Sequence, residues 1–406
     1  MRKIYDGSIY KAKSYLSKMK IKRIYEKTIN IGSPIRNAVI DFSTMTISIV
    51  AIETDIIRNG KSLIGYGFNS NGRYAQGGII KDRILPRIYK AQEKELLNKD
   101  GSNFDPFKCL HVMMKNEKPG GHGERSVAIG TIDMAIWDLV AKIENKPLYK
   151  VLAERYNNGD YDQNVYVYAA GGYYYPGKYI QGLQDEFKNY LNMGFSACKM
   201  KVGGAPMRED LKRIEAAIEV VEKGNKLAID VNGKFNISEA LRFLNEIESY
   251  NLKWYEEAVD PLDYLANAAV SEASKTPIAT GENIFSYIDA LNLVRYGGLK
   301  PNRDYIQVDP VLSYGLAEYI NILKMLKNHG WSSRRCIPHG GHLFGIHIAS
   351  GLGLYGMEAY PNVFVPFGKF ATGMELNNGM VNLPNEPGIG FEEIPELYPT
   401  LKSLIS

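Results

Sequence analysis

Seven short apolar runs in this chain end in ionisable side chains, the first six of them at nearly constant intervals. SACKMKV ends with Lys199 and Lys201, KLAIDVNG with Asp230, LKWYEEA with Glu256, PIATGEN with Glu282, YIQVDP with Asp309, CIPHGG with His339 and YGMEAYP with Glu358. The steps from Lys201 to His339 are 29, 26, 26, 27 and 30 residues, about the length of one strand-plus-helix unit. Amphipathic helices fill the intervals. One repeats Leu211, Ile214, Ile218 and Val221 before Gly224, one opens with the capping pair Asn236 and Glu239, and one carries Leu316, Ile320, Leu323 and Leu326 before Gly330. Each ionisable group therefore falls at the carboxyl end of its own strand. A closed parallel barrel gathers such ends around one mouth, whereas an open doubly wound sheet spreads them along an edge. The expected fold is α/β, a (β/α)7β TIM-like barrel.

The segment before residue 163 reads differently. TMTISIVAIETD and SLIGYGF alternate as paired strands around a turn at Arg58, Asn59 and Gly60, and Ser126 to Ile143 carries an apolar helical face. This first unit is α+β. At 406 residues and 45% apolar content, the chain can bury one large core or two ordinary ones. No run reaches the ~18 apolar residues of a membrane span, and the N-terminus lacks the apolar core of a secretory signal. A soluble, cytoplasmic protein with no membrane partner is expected. Cys109, Cys198 and Cys336 are too scattered for a disulfide framework or a zinc knuckle. The net charge of +4 resides in residues 1–18, where Arg2, Lys3, Lys11, Lys13 and Lys18 face only Asp6. The remainder is neutral and carries no basic stripe, so no nucleic-acid partner is expected. The first strand begins near Lys20, leaving residues 1–19 as an extension or the product of an upstream start.

The chemistry follows from the phase of the strand ends. Asp230, Glu256 and Glu282, on adjacent strands, place three carboxylates where joint ionisation is costly unless a cation joins them. Hard oxygen donors without Cys or His favour Mg²⁺, with Mn²⁺ as a substitute. Lys199 and Lys201 alternate on one strand and so project to the same side. A metal and a second ammonium nearby would lower the Lys201 pKa and let it act as a base. Asp309, one unit before His339, would fix the imidazole tautomer and raise its pKa, making His339 a general acid. His342 competes for that role, and a zinc cluster of His339, His342 and His347 is the alternative metal site; His111, His122 and His329 have no comparable setting. Lysine, metal and histidine together suggest proton abstraction beside a metal-bound carboxylate, assisted by Lys199 and by a hydrogen bond from protonated Glu358.

This constellation resembles the mandelate racemase group of the enolase superfamily. The runs SPIRNA, GYGFNSNGRY, NEKPGGHGERS, YAAGGYYYPGK, KMKVGGAP, WYEEAVDPLDY, ATGEN, RYGGLKP, SYGL, CIPHGGH and LPNEPGIGFE resemble the D-tartrate dehydratases of that group, from about Lys20 to beyond residue 390. The resemblance implies a capping α+β domain over residues 20–160, a barrel over 161–365, and a C-terminal segment over 366–406 that packs back on the cap. It also implies a homo-oligomer. Asp230, Glu256 and Glu282 would bind Mg²⁺, with Lys201 as base and His339 as acid oriented by Asp309. Lys199, Asn232, Glu358 and Tyr173 would contact substrate in the barrel, and Asn37, Asn71 and Lys118 would contact it from the cap. Read without the resemblance, Asn37 and Asn71 serve equally as turn residues and Lys118 as a solvated loop charge. Two features depart from the superfamily pattern. Glu257 and Ala258 follow Glu256 where most members have proline, as in the tartrate dehydratase type, and residues 1–18 have no counterpart. The residues after His342 also differ from that type.

The expected activity is Mg²⁺-dependent dehydration of a 2,3-dihydroxy acid, D-tartrate to oxaloacetate, with a small hydroxy acid as the partner molecule. Racemisation or epimerisation, dehydration of another acid sugar, a non-catalytic binding barrel and a zinc hydrolase are the rival readings.

Overall fold

A computed structural model describes residues 19–177 and 179–405, so the extension expected over residues 1–18 lies outside the described residues. The alternating segments form an antiparallel meander of β1 (Ile21–Asn30), β2 (Thr46–Arg58) and β3 (Lys61–Phe68), in that order. Its second turn is Asn59–Gly60, both at positive φ (51° and 76°), a conformation Asn and Gly adopt at least cost and one that matches strand twist. Helix α1 (Glu124–Ile143) packs behind the meander. Sequence periodicity gave it one apolar face, yet every residue from Arg125 to Lys142 is buried. The reason is that its polar residues meet backbone donors of other segments. Asp133 accepts the N–H of Leu316 (2.6 Å), and Asp138 accepts those of Tyr66 (2.9 Å) and Ile389 (2.7 Å).

Beyond this unit the parallel strands are β4 (Asn164–Gly171), β5 (Cys198–Lys201), β6 (Leu227–Asp230), β7 (Trp254–Glu256), β8 (Ile278–Thr280), β9 (Tyr305–Ile306) and β10 (Met357–Ala359). Each pairs with the next from β4 to β9, Cys336 bridges to Ile306, and β10 returns to pair with β4. The sheet is closed, which excludes the open doubly wound alternative and gives the expected (β/α)7β barrel. Helices α2 (Ile180–Asn192), α3 (Met207–Val221), α4 (Ile237–Ile247), α5 (Tyr264–Ala273), α6 (Tyr287–Tyr296), α7 (Leu316–Asn328) and α8 (Leu343–Gly351) fill the intervals. The capping box of Asn236 and Glu239 forms as read. A hairpin of β11 (Leu376–Asn377) and β12 (Met380–Asn382) lies antiparallel along β4, and the segment after it reaches α1 through Glu392 and Lys142. All three cysteines are buried and free. Among the described residues no helix is long and apolar enough to cross a membrane.

Candidate active site at the barrel mouth

Register brings the charged groups together. Lys201 pairs with Asp230 on β5–β6, and Asp230 with Glu256 on β6–β7, so the three stand in one row across the sheet. Glu282 follows β8 by two residues, and one carboxylate oxygen from each of Asp230, Glu256 and Glu282 lies within 4.8 Å of the others. This is the only such group of potential metal ligands among the described residues. Three carboxylates in that space, with Glu358 beside them, outnumber the ammoniums of Lys199 and Lys201. Lys199, fully buried, pairs with Glu256 (2.5 Å), Glu358 (3.0 Å) and Asp230 (3.6 Å). Burial pushes Glu256 up to about 7, and Asp230, Glu282 and Glu358 add to it against the pull of Lys199. A hard divalent cation relieves this excess of negative charge, and the all-oxygen donor set fits one.

Lys201 lies against Asp230. Burial lowers its pKa, but contact with Asp230 overrides burial and raises it, so in this arrangement the ammonium is held as a cation. Its Nζ also sits 5.4 Å from the centre of the Tyr173 ring. Glu358 departs from the protonated state expected of it. Burial opposes its ionisation, but Lys199 and His339 hold it far below the ordinary range. It accepts from Tyr360 Oη (2.8 Å) and the Gly340 N–H (3.2 Å), so it is an ionised acceptor rather than a protonated donor.

His339 is bonded to Asp309. Nδ1 donates to Asp309 Oδ2 (2.8 Å), while Nε2 lies 3.2 Å from Glu282 and 3.1 Å from Glu358. Burial disfavours the imidazolium, yet Glu358, Glu282 and Asp309 raise its pKa to about 10. Asp309 stays ionised against its own burial because His339, Ser70 and the N–H groups of Val311 (2.7 Å) and Leu312 (3.0 Å) all bond to it. His342 instead caps α8 through the Gly345 N–H, and burial pushes its pKa down to about 4. His347 accepts from Tyr149 N and bonds to the carbonyl of Ile389, a core histidine with both nitrogens used. The zinc alternative therefore has no site among the described residues.

A cavity of about 460 Å³ opens above these groups, lined by Asn37, Asn71, Tyr173, Lys201, Asn232, Glu282 and His339 among others. Lys199, Asp230, Glu256 and Glu358 are buried outside that lining. Asn37 is both turn former and wall, its Oδ1 accepting the N–H groups of Val39 (2.8 Å) and Ile40 (2.7 Å). Asn71 donates to the Gly340 carbonyl (2.9 Å) and leaves a buried Oδ1 without a hydrogen-bond partner among the described residues. Asn232, at φ 52°, likewise leaves its Oδ1 without one. Lys118 is exposed and forms no part of the lining, the solvated charge its bland reading allowed. Arg73 and His122, absent from the sequence-based site, do line the cavity. Arg73 lies two residues beyond Asn71 in the same quoted run, which was the available signal. His122 is held by Tyr314 Oη (3.0 Å), a partner 192 residues away that no local pattern announces.

The family model described as Enolase C-terminal domain-like matches residues 182–396. The arabinonate dehydratase of Saccharolobus solfataricus is 32% identical over 279 residues, 66% of this chain and 71% of that protein. The L-talarate/galactarate dehydratase of Salmonella typhimurium is 27% identical over 343 residues, 84% of this chain and 80% of that protein. A racemase from Streptomyces coelicolor, solved with bound magnesium, superposes with a TM-score of 0.76 at 24% identity, covering 95% of this chain and 99% of its own. Barrel, capping unit, carboxylate trio and family match agree: the chain belongs to the enolase C-terminal domain-like family, within the enolase and mandelate racemase superfamily.

Proposed function

We propose that this protein is a Mg²⁺-dependent dehydratase of a 2,3-dihydroxy carboxylic acid, with D-tartrate as substrate and oxaloacetate as product. The observation that carries the reading is that Lys201 and His339 line one cavity from different barrel strands, and the strands that end in the three carboxylates lie between theirs in the sheet. Asp230, Glu256 and Glu282 would hold a divalent cation, Mg²⁺ by the hardness of their donors, which would supply positive charge for the negative charge that develops on the substrate carboxylate. Lys201, once its ammonium proton has passed to solvent, takes as the neutral amine the proton α to that carboxylate. Protonated His339 gives its Nε2 proton to the β-hydroxyl, which leaves as water. Asp309 keeps the other ring proton on Nδ1, so that Nε2 is the nitrogen that donates. The C–H and C–O electron pairs become the double bond of an enol and the lone pair of water, and the enol tautomerises to the 2-oxo acid. Asn37, Asn71, Tyr173 and Asn232 contact the substrate from the walls, and Lys199 and Glu358 fix the charges beneath.

Dehydratases among the relatives support this class of reaction. The test is a screen of tartrate isomers and aldonic acids with Mg²⁺, following 2-oxo acid release. Product from D-tartrate that is lost in Lys201→Ala is expected; no product from any tartrate overturns the substrate assignment. A lysine and a histidine on different strands could also exchange protons at one carbon. Solvent deuterium incorporation without loss of water would favour that racemase reading.

A further inference from the structure

We infer that Arg73 is a specificity residue that binds a second, distal carboxylate, so that the cavity selects dicarboxylic over monocarboxylic hydroxy acids. The inference rests on the dehydratase reading above and deepens it. Arg73 belongs to the loop after β3 and lies in the wall of the same cavity as Lys201 and His339. Three contacts aim its guanidinium: one NH2 group donates to Asn283 Oδ1, another to the Gly72 carbonyl (3.0 Å), and the plane's carbon lies 4.9 Å from the centre of the Phe285 ring.

How Asn283 is used decides what Arg73 is for. Its Nδ2 donates to both oxygens of Glu257 (3.0 and 2.8 Å), leaving its carbonyl for Arg73. Glu257 is buried, so Asn283 cannot turn without stranding a buried carboxylate. Arg73 is thus oriented by a neutral acceptor rather than neutralised by an acidic one, and it makes no ion pair among the described residues. The other cations of the cavity are paired, Lys201 with Asp230 and His339 with Asp309. Apart from Glu282, the carboxylates of the lining are held within their own turns, Asp260 by the Leu262 N–H and Asp289 by Ser286. A half-buried guanidinium with N–H groups to spare and a fixed plane is suited to a bidentate contact with a carboxylate. Asn283 follows Glu282 directly, which sets Arg73 at the periphery of the carboxylate trio. A dianion with its reacting carboxylate at that trio would present its other end to the wall.

The test compares tartrate with glycerate, which keeps the 2,3-dihydroxy acid head and lacks the second carboxylate. Binding of each stereoisomer to the Mg²⁺-loaded protein is measured by calorimetry for the wild type, Arg73→Met and Arg73→Lys. Wild type should prefer a tartrate. Arg73→Met should weaken tartrate binding by about 30- to 100-fold while leaving glycerate and Mg²⁺ affinities unchanged, and Arg73→Lys should restore part of it. A wild type with no preference for the dianion, or equal weakening of both ligands in Arg73→Met, overturns the assignment. Dehydration of a monocarboxylic acid without such a preference would remove Arg73 and keep the dehydratase. An Arg73-dependent preference with no acid losing water would do the reverse.

Discussion

Ser70 Oγ donates to Asp309 Oδ2 at 2.5 Å across 239 residues of chain, so a loop of the capping unit is bonded to the carboxylate that orients His339. The approach is close: a Cβ on Gly340 would lie 2.7 Å from Ser70 Oγ and 2.6 Å from His342 Nε2, and Gly340 itself stands at φ 119°. The loop therefore reports its position to the proton donor through one hydrogen bond. Ser70→Ala should lower kcat by roughly 10-fold, the scale of one hydrogen bond to a charged group, with little change in KM. Ser70→Thr should retain most of the activity. Steady-state kinetics on the substrate from the acid screen, with Mg²⁺ affinity as a control, checks this; equal turnover in Ser70→Ala would disconnect the loop from the dyad.

Glu256 is fixed from behind. Its Oε2 accepts from Trp254 Nε1 (2.7 Å) and Gln307 Nε2 (3.0 Å), leaving Oε1 toward Lys199. Partners that orient a metal-binding carboxylate typically contribute about 10- to 100-fold in metal affinity. Gln307→Leu should therefore weaken Mg²⁺ binding by about that factor, read by titration calorimetry. Unchanged affinity would remove Glu256 from the proposed ligand set or Gln307 from its support.

What could be read from the sequence was whatever the strand repeat encodes. Lys201, Asp230 and Glu256 fall in register because each closes a strand at the same level, and counting residues finds such groups. Charge states were less legible. Asp309 could be read as a partner of His339, but the larger push on that imidazole from Glu358 and Glu282, the raised pKa of Lys201 and the ionised state of Glu358 depend on which buried counter-charges each meets in three dimensions. Least legible were contacts made by loops of the first unit. Ser70, Arg73 and His122 reach partners 192 to 239 residues away, where no periodicity links the two sides. Conversely, Lys118 lies in a matched run and yet points to solvent.

Near the cavity, Glu117 collects three guanidiniums, bonding to Arg83, Arg87 (2.6 Å) and Arg125 (2.9 Å), and Arg125 continues to Tyr314. Burial disfavours its charge, but the arginines override it and hold the pKa at about 2. A carboxylate with a depressed folded pKa binds fewer protons folded than unfolded, so its contribution is complete above the unfolded value near ~4.5 and is lost as pH falls towards ~2. Arg83 is half exposed, and screening by water limits the contribution to about 1–2 kcal/mol. Glu117→Gln should lower stability at pH 7 by that amount and remove part of the decline between pH 5 and 3. Urea unfolding across that range checks it; parallel curves for both proteins would contradict the depressed pKa.

The first unit, its long helix and the C-terminal segment meet at Asp138. This fully buried carboxylate accepts from Tyr66 N on β3, Ile389 N beyond the hairpin, and Lys142 Nζ (2.7 Å) one turn along α1. Lys142 also donates to the Ile64 carbonyl (2.8 Å) and pairs with Glu392. Burial raises Asp138 to about 6, with Lys142 pulling against it. Removing one member of a buried pair leaves an uncompensated charge, at a cost of about 3–5 kcal/mol. Lys142→Met should therefore destabilise the protein by about that much. Adding Asp138→Asn should recover part of the loss, because the charge is gone, but not all of it, since an amide has one acceptor oxygen for two backbone N–H groups. Denaturant unfolding of the two single variants and the double variant closes the cycle. Strictly additive losses would show that the Asp138–Lys142 pair is not coupled.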